Sequence, residues 1–177
     1  MPVEPNRWVA CIRMTISKVR KYKDYMSKPH RISAGGIIFK GNTVLLVRYR
    51  NTNAEGTYLV GPGGKLEDDE NIVQAIIRET KEETGVSVAP KRLIAIEDLM
   101  CSHFKMIKVW MVCGVIEGEV NKTVDAQKEG IIEASWFTED QLANEVVFPS
   151  FLMQHDWEQL RSETWQVECL PSRKANF

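Results

Sequence analysis

Apolar and polar positions along the chain predict several strands around one long helix. Two apolar runs, 34–39 and 44–47, flank Lys40-Gly41-Asn42-Thr43, which is the signal of a strand, a turn and a second strand. Further apolar runs predict strands at 58–60, 93–99, 106–116 and 131–137. The segment 121–130 is polar and is typical of a loop. Strands interrupted by a few helices favour a mixed sheet with helices packed on its faces.

The central helix is predicted between an acidic cap and a glycine. Asp68 or Asp69 can cap its N-terminus, and Gly85 suits the left-handed conformation that follows a last helical turn. A shorter helix is predicted over 138–144, where the first residue is a capping threonine, and another is predicted to start at Pro149.

Three glutamates continue the apolar stripe of the central helix. At about 100° per residue, Glu79, Glu82 and Glu83 fall on the face that carries apolar side chains earlier in the helix. The acidic face is therefore predicted to point into the protein. Glu79 and Glu83 are a like-charge pair at i and i+4, unfavourable by roughly 0.2–0.5 kcal/mol even when exposed, so a cation should offset them. Hard divalent cations such as Mg²⁺ take oxygen ligands of this kind.

Length and composition predict one domain with flanking segments. The 177 residues, 44% hydrophobic and 27% charged, suit a single core. We expect a basic extension over 1–30, one domain over 31–170 and a frayed tail over 171–177. No apolar run approaches the ~20 residues needed to span a bilayer, and the first residues do not resemble a signal peptide. A soluble, cytoplasmic protein is predicted.

The first 31 residues are strongly basic. They carry a net charge of +6, whereas the remainder carries −7. Apolar residues recur there at three- to four-residue steps, which suggests an amphipathic helix. Such a segment can contact RNA, an anionic surface or a nucleotide. Packing against the protein's own acidic remainder is the favoured interpretation, and the residues leave open whether the segment forms a homodimer interface.

The stretch from Gly64 to Val86 resembles the signature of the Nudix hydrolases. That signature runs glycine, five residues, glutamate, seven residues, Arg-Glu, an apolar residue, any residue, Glu-Glu, any residue, glycine and an apolar residue. Its positions match Gly64, Glu70, Arg78, Glu79, Glu82, Glu83, Gly85 and Val86. Thr80 is the one departure, since it stands where the family usually has an aliphatic residue.

The resemblance implies a fold, a metal site and a set of roles. Nudix domains form an α/β/α sandwich with a mixed β-sheet. Glu79, Glu82 and Glu83 would hold Mg²⁺ or Mn²⁺ together with the carbonyl of Gly64. Glu70 would pair with Arg78, and Gly85 would end the helix. For the general base, Glu82 is the first choice and Glu129, in a later loop, is the alternative.

The implied function is divalent-metal-dependent hydrolysis of a diphosphate linkage in a small nucleotide. The sequence GPGGKLE over 61–67 and FPSFL over 148–152 resemble the branch that converts nucleoside triphosphates, including oxidised ones, to the monophosphate and pyrophosphate. Met100, Cys101 and Ser102 stand where many ADP-ribose-hydrolysing members have a proline. The alternatives are an ADP-ribose or nucleotide-sugar pyrophosphatase, an RNA 5′-end pyrophosphohydrolase, and a non-catalytic nucleotide sensor.

Overall fold

The computed structural model describes residues 28–51 and 55–175. In these residues the strands are β1 His30–Lys40, β2 Thr43–Arg50, β3 Thr57–Val60, β4 Gly63–Lys65, β5 Ser87–Met100, β6 Lys105–Glu117, β7 Ile131–Phe137, β8 Val147–Phe148 and β9 Glu168–Lys174. The helices are α1 Ile72–Thr84, α2 Val124–Lys128, α3 Glu139–Leu142, a 3₁₀ helix Ser150–Met153 and α4 Trp157–Arg161. The six strands predicted from the apolar runs are confirmed as β1, β2, β3, β5, β6 and β7.

The strands form one mixed sheet. Their order is β8-β3-β2-β1-β6-β5-β9, with β4 paired to β1 and β7 paired to β2. The pairs β1·β6, β3·β8 and β5·β9 are parallel, and the others are antiparallel. The segment 61–64, named here the glycine loop, leads into β4. Because β4 and β6 both pair with β1, the glycine loop lies beside the middle of the sheet.

Helices cover both faces of this sheet. Successive residues of a strand point to opposite faces, so Ile37 and Ile38 belong to two separate cores. Ile38 packs in the core that contains Ile76 of α1. Ile37 packs in the larger core, which contains Phe151 of the 3₁₀ helix and Leu160 of α4. This arrangement is the predicted α/β/α sandwich.

The N-terminus of α1 differs from the prediction. Asn71, and neither Asp68 nor Asp69, is the capping residue: its side chain accepts from the Gln74 backbone N–H at 3.0 Å, and the Gln74 side chain accepts from the Asn71 N–H at 2.9 Å. This reciprocal pair stabilises the helix start. The two aspartates lie in the preceding turn, closed by a Glu70 N–H to Glu67 carbonyl bond of 3.1 Å.

Two later segments also differ from the prediction. The polar segment 121–130 contains the short helix α2, because Thr123 caps it with a hydrogen bond from the Ala126 N–H at 3.0 Å. The helix predicted from Pro149 is divided in two. The 3₁₀ helix ends at Met153. Asp156 then caps the N-terminus of α4 by accepting a hydrogen bond from the Glu158 N–H at 2.7 Å.

The tail predicted to fray over 171–177 is ordered as far as the structure describes it. β9 continues to Lys174 and pairs in parallel with β5, and the Ala175 N–H donates to the Met100 carbonyl at 3.1 Å. This edge strand is held by main-chain hydrogen bonds, which do not depend on an alternating side-chain pattern. The sequence therefore did not predict it. Residues 176–177 lie outside the described part, as does the predicted helix in the basic extension. Within the described part, no helix is long and apolar enough to cross a membrane.

Candidate active site

The last two turns of α1 carry the glutamates on the predicted inward face. Glu79 and Glu83 are only 6% and 1% exposed, and they follow the fully buried Ala75 and Ile76 along the same stripe. The side chain of Glu82 is 36% exposed and lies at the border of that face. Helical periodicity therefore predicted correctly that carboxylates would point into the protein.

Glu83 is held by two hydrogen bonds. The Gly63 N–H donates to its Oε2 at 2.8 Å, and the Tyr49 hydroxyl donates to its Oε1 at 2.8 Å. Burial raises the pKa of Glu83 to about 8, and the bonds from Tyr49 and Gly63 oppose that rise. Because both carboxylate oxygens accept hydrogen bonds, Glu83 fastens the glycine loop and β2 to the helix.

Arg78 contacts three carboxylates at once. Its Nε and Nη2 donate to Oε1 and Oε2 of Glu70 at 2.6 and 2.8 Å. Its Nη1 lies 2.9 Å from Glu82 Oε2 and 3.0 Å from Glu79 Oε1. The hydrogen bonds from Arg78 lower the pKa of Glu70 to about 2. The Glu70 contact is the one that the resemblance implied, and a single guanidinium shared by three carboxylates leaves the site negative.

Glu129 joins Glu79 and Glu82 from a distant part of the chain. Carboxylate oxygens of these three residues, named here the carboxylate cluster, all lie within 4.8 Å of one another. Thr123 sets this arrangement, since its hydroxyl donates to the Glu82 backbone carbonyl while capping α2 through Ala126. Glu129 follows α2 immediately, so the anchored helix delivers it to the end of α1.

The donor set of the carboxylate cluster suits a hard divalent cation. All three residues offer carboxylate oxygens, the ligands that Mg²⁺ and Mn²⁺ take in proteins. Burial raises the pKa of Glu79 and of Glu129, and the charge of Glu82 adds to the rise at both. Such shifts are expected where negative charge exceeds the positive charge around it.

The glycines allow close packing around the carboxylates. Gly63 has φ +146°, a conformation that other residues rarely adopt. A side chain at Gly64 would collide with the Glu79 carboxylate, and the Gly64 carbonyl accepts from Ser33 Oγ at 2.7 Å. Gly85, with φ +78°, ends α1 as predicted. The role of the Gly64 carbonyl as a metal ligand stays a prediction.

A cavity of about 630 Å³ opens beside the glycine loop. Its lining includes Gly63 and Gly64, through which it adjoins Glu83 and Glu79. Aromatic and cationic side chains line much of the rest: Tyr49, Tyr58, Phe104, Trp110, Phe148, Arg31, Lys65, Lys108, Arg173 and Lys174. The lining carries two acidic residues, Glu55 and Glu97. The cavity can therefore receive a flat, anionic molecule whose charged part reaches the glycine loop.

A charged network lines the part of the cavity formed by β5, β6, β8 and β9. Glu97 is 2% exposed, and its Oε1 accepts from Arg173 Nε at 2.6 Å while its Oε2 accepts from Trp110 Nε1 at 3.1 Å. Arg173 also lies over the Phe148 ring, 4.4 Å from its centroid. Lys108 lies over Trp110, 4.4 Å from the ring centroid, and its burial lowers its pKa. These five residues are named here the far wall.

The charged residues of the far wall, Glu97, Lys108 and Arg173, were missed by the sequence reasoning. Glu97 and Lys108 each interrupt a run of hydrophobic residues in a predicted strand. A charged residue at such a position is a signal that could have marked both as site residues. No comparable signal existed for Arg173, because its segment was expected to fray. Of the predicted site residues, the structure brings Glu79, Glu82 and Glu129 together and sets Glu83 apart, with its carboxylate bonded to Tyr49 and Gly63.

Comparison with known proteins agrees with this geometry. The family model described as "NUDIX domain" matches residues 29–156. An ADP-ribose pyrophosphatase of Methanocaldococcus jannaschii is 30% identical over 112 residues, which cover 62% of this chain and 64% of that protein. An 8-oxo-dGTP diphosphatase of Proteus vulgaris is 39% identical over 67 residues, which cover 38% of this chain and 60% of that protein.

Solved structures show the same architecture. A NUDIX hydrolase from Nitrosomonas europaea superimposes with a TM-score of 0.60 at 27% identity, covering 72% of this chain and 85% of that one. The chain belongs to the Nudix hydrolase family. It spans less than two thirds of the length of the two curated relatives.

Proposed function

We propose that this protein hydrolyses a nucleoside triphosphate, oxidised ones included, to the monophosphate and pyrophosphate with the help of Mg²⁺ or Mn²⁺. One observation carries the proposal: Gly64, which lines a cavity rich in aromatic and cationic side chains, packs against the Glu79 carboxylate of the carboxylate cluster. The carboxylates suit a cation that neutralises phosphate oxygens, and the cavity suits a base and its attached phosphates. The similarity to an 8-oxo-dGTP diphosphatase adds support.

Glu79 and Glu82 would hold the cation in this proposal. Their carboxylate oxygens already form ion pairs with Arg78 Nη1, at 3.0 Å for Glu79 and 2.9 Å for Glu82. Glu83 holds the adjoining glycine loop through the Gly63 N–H. When bound, the cation supplies positive charge that offsets the phosphate oxygens and favours attack by water. Arg78 would keep the two glutamates in position, while the Gly64 carbonyl is a further candidate ligand.

Glu129 would act as the general base, with Glu82 as the alternative. Two observations support this order: Glu82 is ion-paired to Arg78, and burial raises the pKa of Glu129. A carboxylate with a raised pKa is a better proton acceptor near neutral pH. Glu129 would take a proton from water as the water oxygen bonds to phosphorus, and the bridging P–O bond would break to release pyrophosphate.

A phosphate-release screen tests the proposal. The protein is assayed with Mg²⁺ and then Mn²⁺, with pyrophosphatase in one arm and alkaline phosphatase in the other. The substrates are nucleoside triphosphates, oxidised triphosphates, ADP-ribose and nucleotide sugars. We expect signal in the pyrophosphatase arm with a triphosphate. Signal confined to the phosphatase arm with ADP-ribose would contradict the substrate proposal and leave the diphosphate chemistry standing.

Glutamine variants test the assigned roles. Glu129→Gln should lower kcat by roughly 10²- to 10⁴-fold with KM little changed, the usual contribution of a general base. Glu82→Gln should lower kcat and also raise the Mn²⁺ concentration needed for half-maximal activity. Glu119→Gln, at an exposed position, is the matched control. Full activity in both site variants, with circular dichroism unchanged, would overturn the proposal.

ADP-ribose hydrolysis is a second candidate function. It rests on the similarity to the ADP-ribose pyrophosphatase of Methanocaldococcus jannaschii, which is 30% identical over 62% of this chain. ADP-ribose carries the same diphosphate between two sugars, so the carboxylate cluster would serve both reactions. The pyrophosphatase arm of the screen separates the two, because triphosphates yield pyrophosphate, whereas ADP-ribose yields AMP and ribose 5-phosphate, which pyrophosphatase does not cleave.

A further inference from the structure

The C-terminal strand β9 adds to the cavity a residue that lies outside the matched NUDIX domain. The family match ends at residue 156, whereas β9 runs over Glu168–Lys174. Arg173, Lys174 and Ala175 nevertheless line the cavity. Part of the wall that a substrate would meet therefore lies outside the matched NUDIX domain.

Arg173 contacts the other far-wall residues with only part of its guanidinium group. Its Nε donates to the buried Glu97 at 2.6 Å, and one side of the group lies against Phe148. Among the described residues, the hydrogen bonds of Arg173 use Nε, and neither Nη atom has a partner. The hydrogen bond from Nε to Glu97 is sufficient to attach the Arg173 side chain of β9 to β5. Its Nη groups remain available to a molecule in the cavity.

Of the far-wall residues on β6, β5 and β9, Glu97 and Arg173 lie the most strand steps from β4. Strand pairing places Glu97 beside Lys108, Lys108 beside Ser33, and Ser33 beside Lys65 of β4. With strands about 4.8 Å apart, three steps separate Glu97 from β4 by about 14 Å. A nucleotide whose diphosphate lies at the glycine loop would therefore extend its other end toward Arg173.

We propose that Arg173, positioned by Glu97 and Phe148, binds a pair of adjacent hydrogen-bond acceptors on the end of the substrate farthest from the cleaved diphosphate. The inference rests on the proposed function, because it needs a nucleotide in the cavity. A guanidinium presents two parallel N–H groups, which match two acceptors side by side. Two sources have that chemistry: O6 and N7 of a guanine base, and the oxygens of a second phosphate.

The experiment compares matched pairs of substrates. GTP is compared with 7-deaza-GTP, which lacks the N7 acceptor, and ADP-ribose is compared with ADP-ribose 2′-phosphate. KM and kcat are measured for wild type, Arg173→Lys and the control Arg50→Lys, which changes an exposed arginine outside the cavity lining. Lysine keeps the charge of Arg173 and removes the pair of N–H groups.

We expect wild type to favour GTP, or ADP-ribose 2′-phosphate, by roughly 10- to 100-fold in KM, the range of a bidentate arginine contact. Arg173→Lys should remove that preference with kcat changed less than about twofold, and Arg50→Lys should keep it. Preference in the first pair identifies the base edge, and preference in the second identifies a phosphate. If wild type shows no preference in either pair, or if Arg173→Lys retains it, the inference is wrong.

Two further measurements keep this test separate from the proposed function. Binding of α,β-methylene-GTP and α,β-methylene-ATP is measured by calorimetry in all variants, so a protein that hydrolyses nothing can still show the Arg173-dependent preference. Hydrolysis without that preference leaves the proposed function standing and overturns the inference. Should Arg173→Lys melt well below wild type, Glu97→Gln replaces it, because the amide retains the shape and should reduce the preference by roughly three- to tenfold.

Discussion

The carboxylate cluster adjoins the cavity through Gly64, the far wall lines it directly, and the two groups are assembled in different ways. Two of the three clustered carboxylates come from a single turn of α1, and Thr123 draws in the third. The far wall takes its five residues from β5, β6, β8 and β9. A contiguous stretch thus supplies two of the clustered carboxylates, whereas tertiary structure supplies Glu129 and the whole of the far wall.

This comparison leads to separable kinetic effects. Changes at the carboxylate cluster should lower kcat, because in the proposed function its groups would act on the reacting atoms. Changes along the rest of the cavity should raise KM, because uniform binding of the substrate is lost there.

The largest effect is expected from Arg78→Ala. Removal of the guanidinium leaves Glu70, Glu79 and Glu82 without their shared cation, and two of these side chains are less than a fifth exposed. The free energy of unfolding should fall by about 2–3 kcal/mol, and kcat should fall by at least about 100-fold. Urea unfolding and steady-state kinetics measure both. Arg50→Ala, at an exposed position, should match wild type; a stable, active Arg78→Ala protein would contradict the central role of Arg78.

A smaller effect is expected at Tyr58 in the cavity lining. Its ring stacks on Tyr49 at a centroid distance of 5.6 Å and meets Phe148 edge-on at 6.0 Å. Tyr58→Leu should raise KM for the best substrate about tenfold with kcat nearly unchanged, because one base-stacking surface is lost. Tyr58→Phe keeps the ring and should resemble wild type. A fall in kcat at constant KM would contradict the division between the carboxylate cluster and the rest of the cavity.

Thr123→Val should produce a comparable loss of activity with a modest loss of stability. The valine cannot cap α2 or donate to the Glu82 carbonyl, so Glu129 loses its anchor. We expect kcat to fall about tenfold and the free energy of unfolding to fall by about 1 kcal/mol. Thr123→Ser retains the hydroxyl and should recover most of both. Equal kcat values for the valine and serine variants would show that Glu129 does not depend on this anchor.

The smallest effect is expected in the acid dependence of stability at Glu70. Its pKa of about 2 lies below the ordinary value near 4.3, so its contribution is complete above about pH 5 and is lost as the pH falls toward 2. Glu70→Gln should therefore unfold at lower urea concentration than wild type at pH 7, and the two midpoints should converge between about pH 4 and 2. Glu67→Gln, at an exposed neighbour, should show no such convergence.

Sequence reasoning predicted the chemistry of α1 better than its surroundings. The inward face of Glu79 and Glu83 followed from helical periodicity, because an apolar stripe that turns acidic has one interpretation in a buried helix. The cap at Asn71 was missed because several polar residues precede the helix and each can accept a backbone hydrogen bond. The bond from Tyr49 to Glu83 joins residues from separate elements, and no local pattern contains it.

By itself, the sequence determined the positions of the main strands along the chain and the central helix with its terminal glycine. It also determined the type of chemistry that clustered carboxylates support. These features depend on short-range periodicity and on side-chain chemistry, and both can be interpreted without knowledge of the fold. Tertiary structure alone decided that Glu129 meets Glu79 and Glu82, and that Arg173 reaches Glu97. The reason is physical: strand pairing and helix docking bring together residues that lie far apart along the chain.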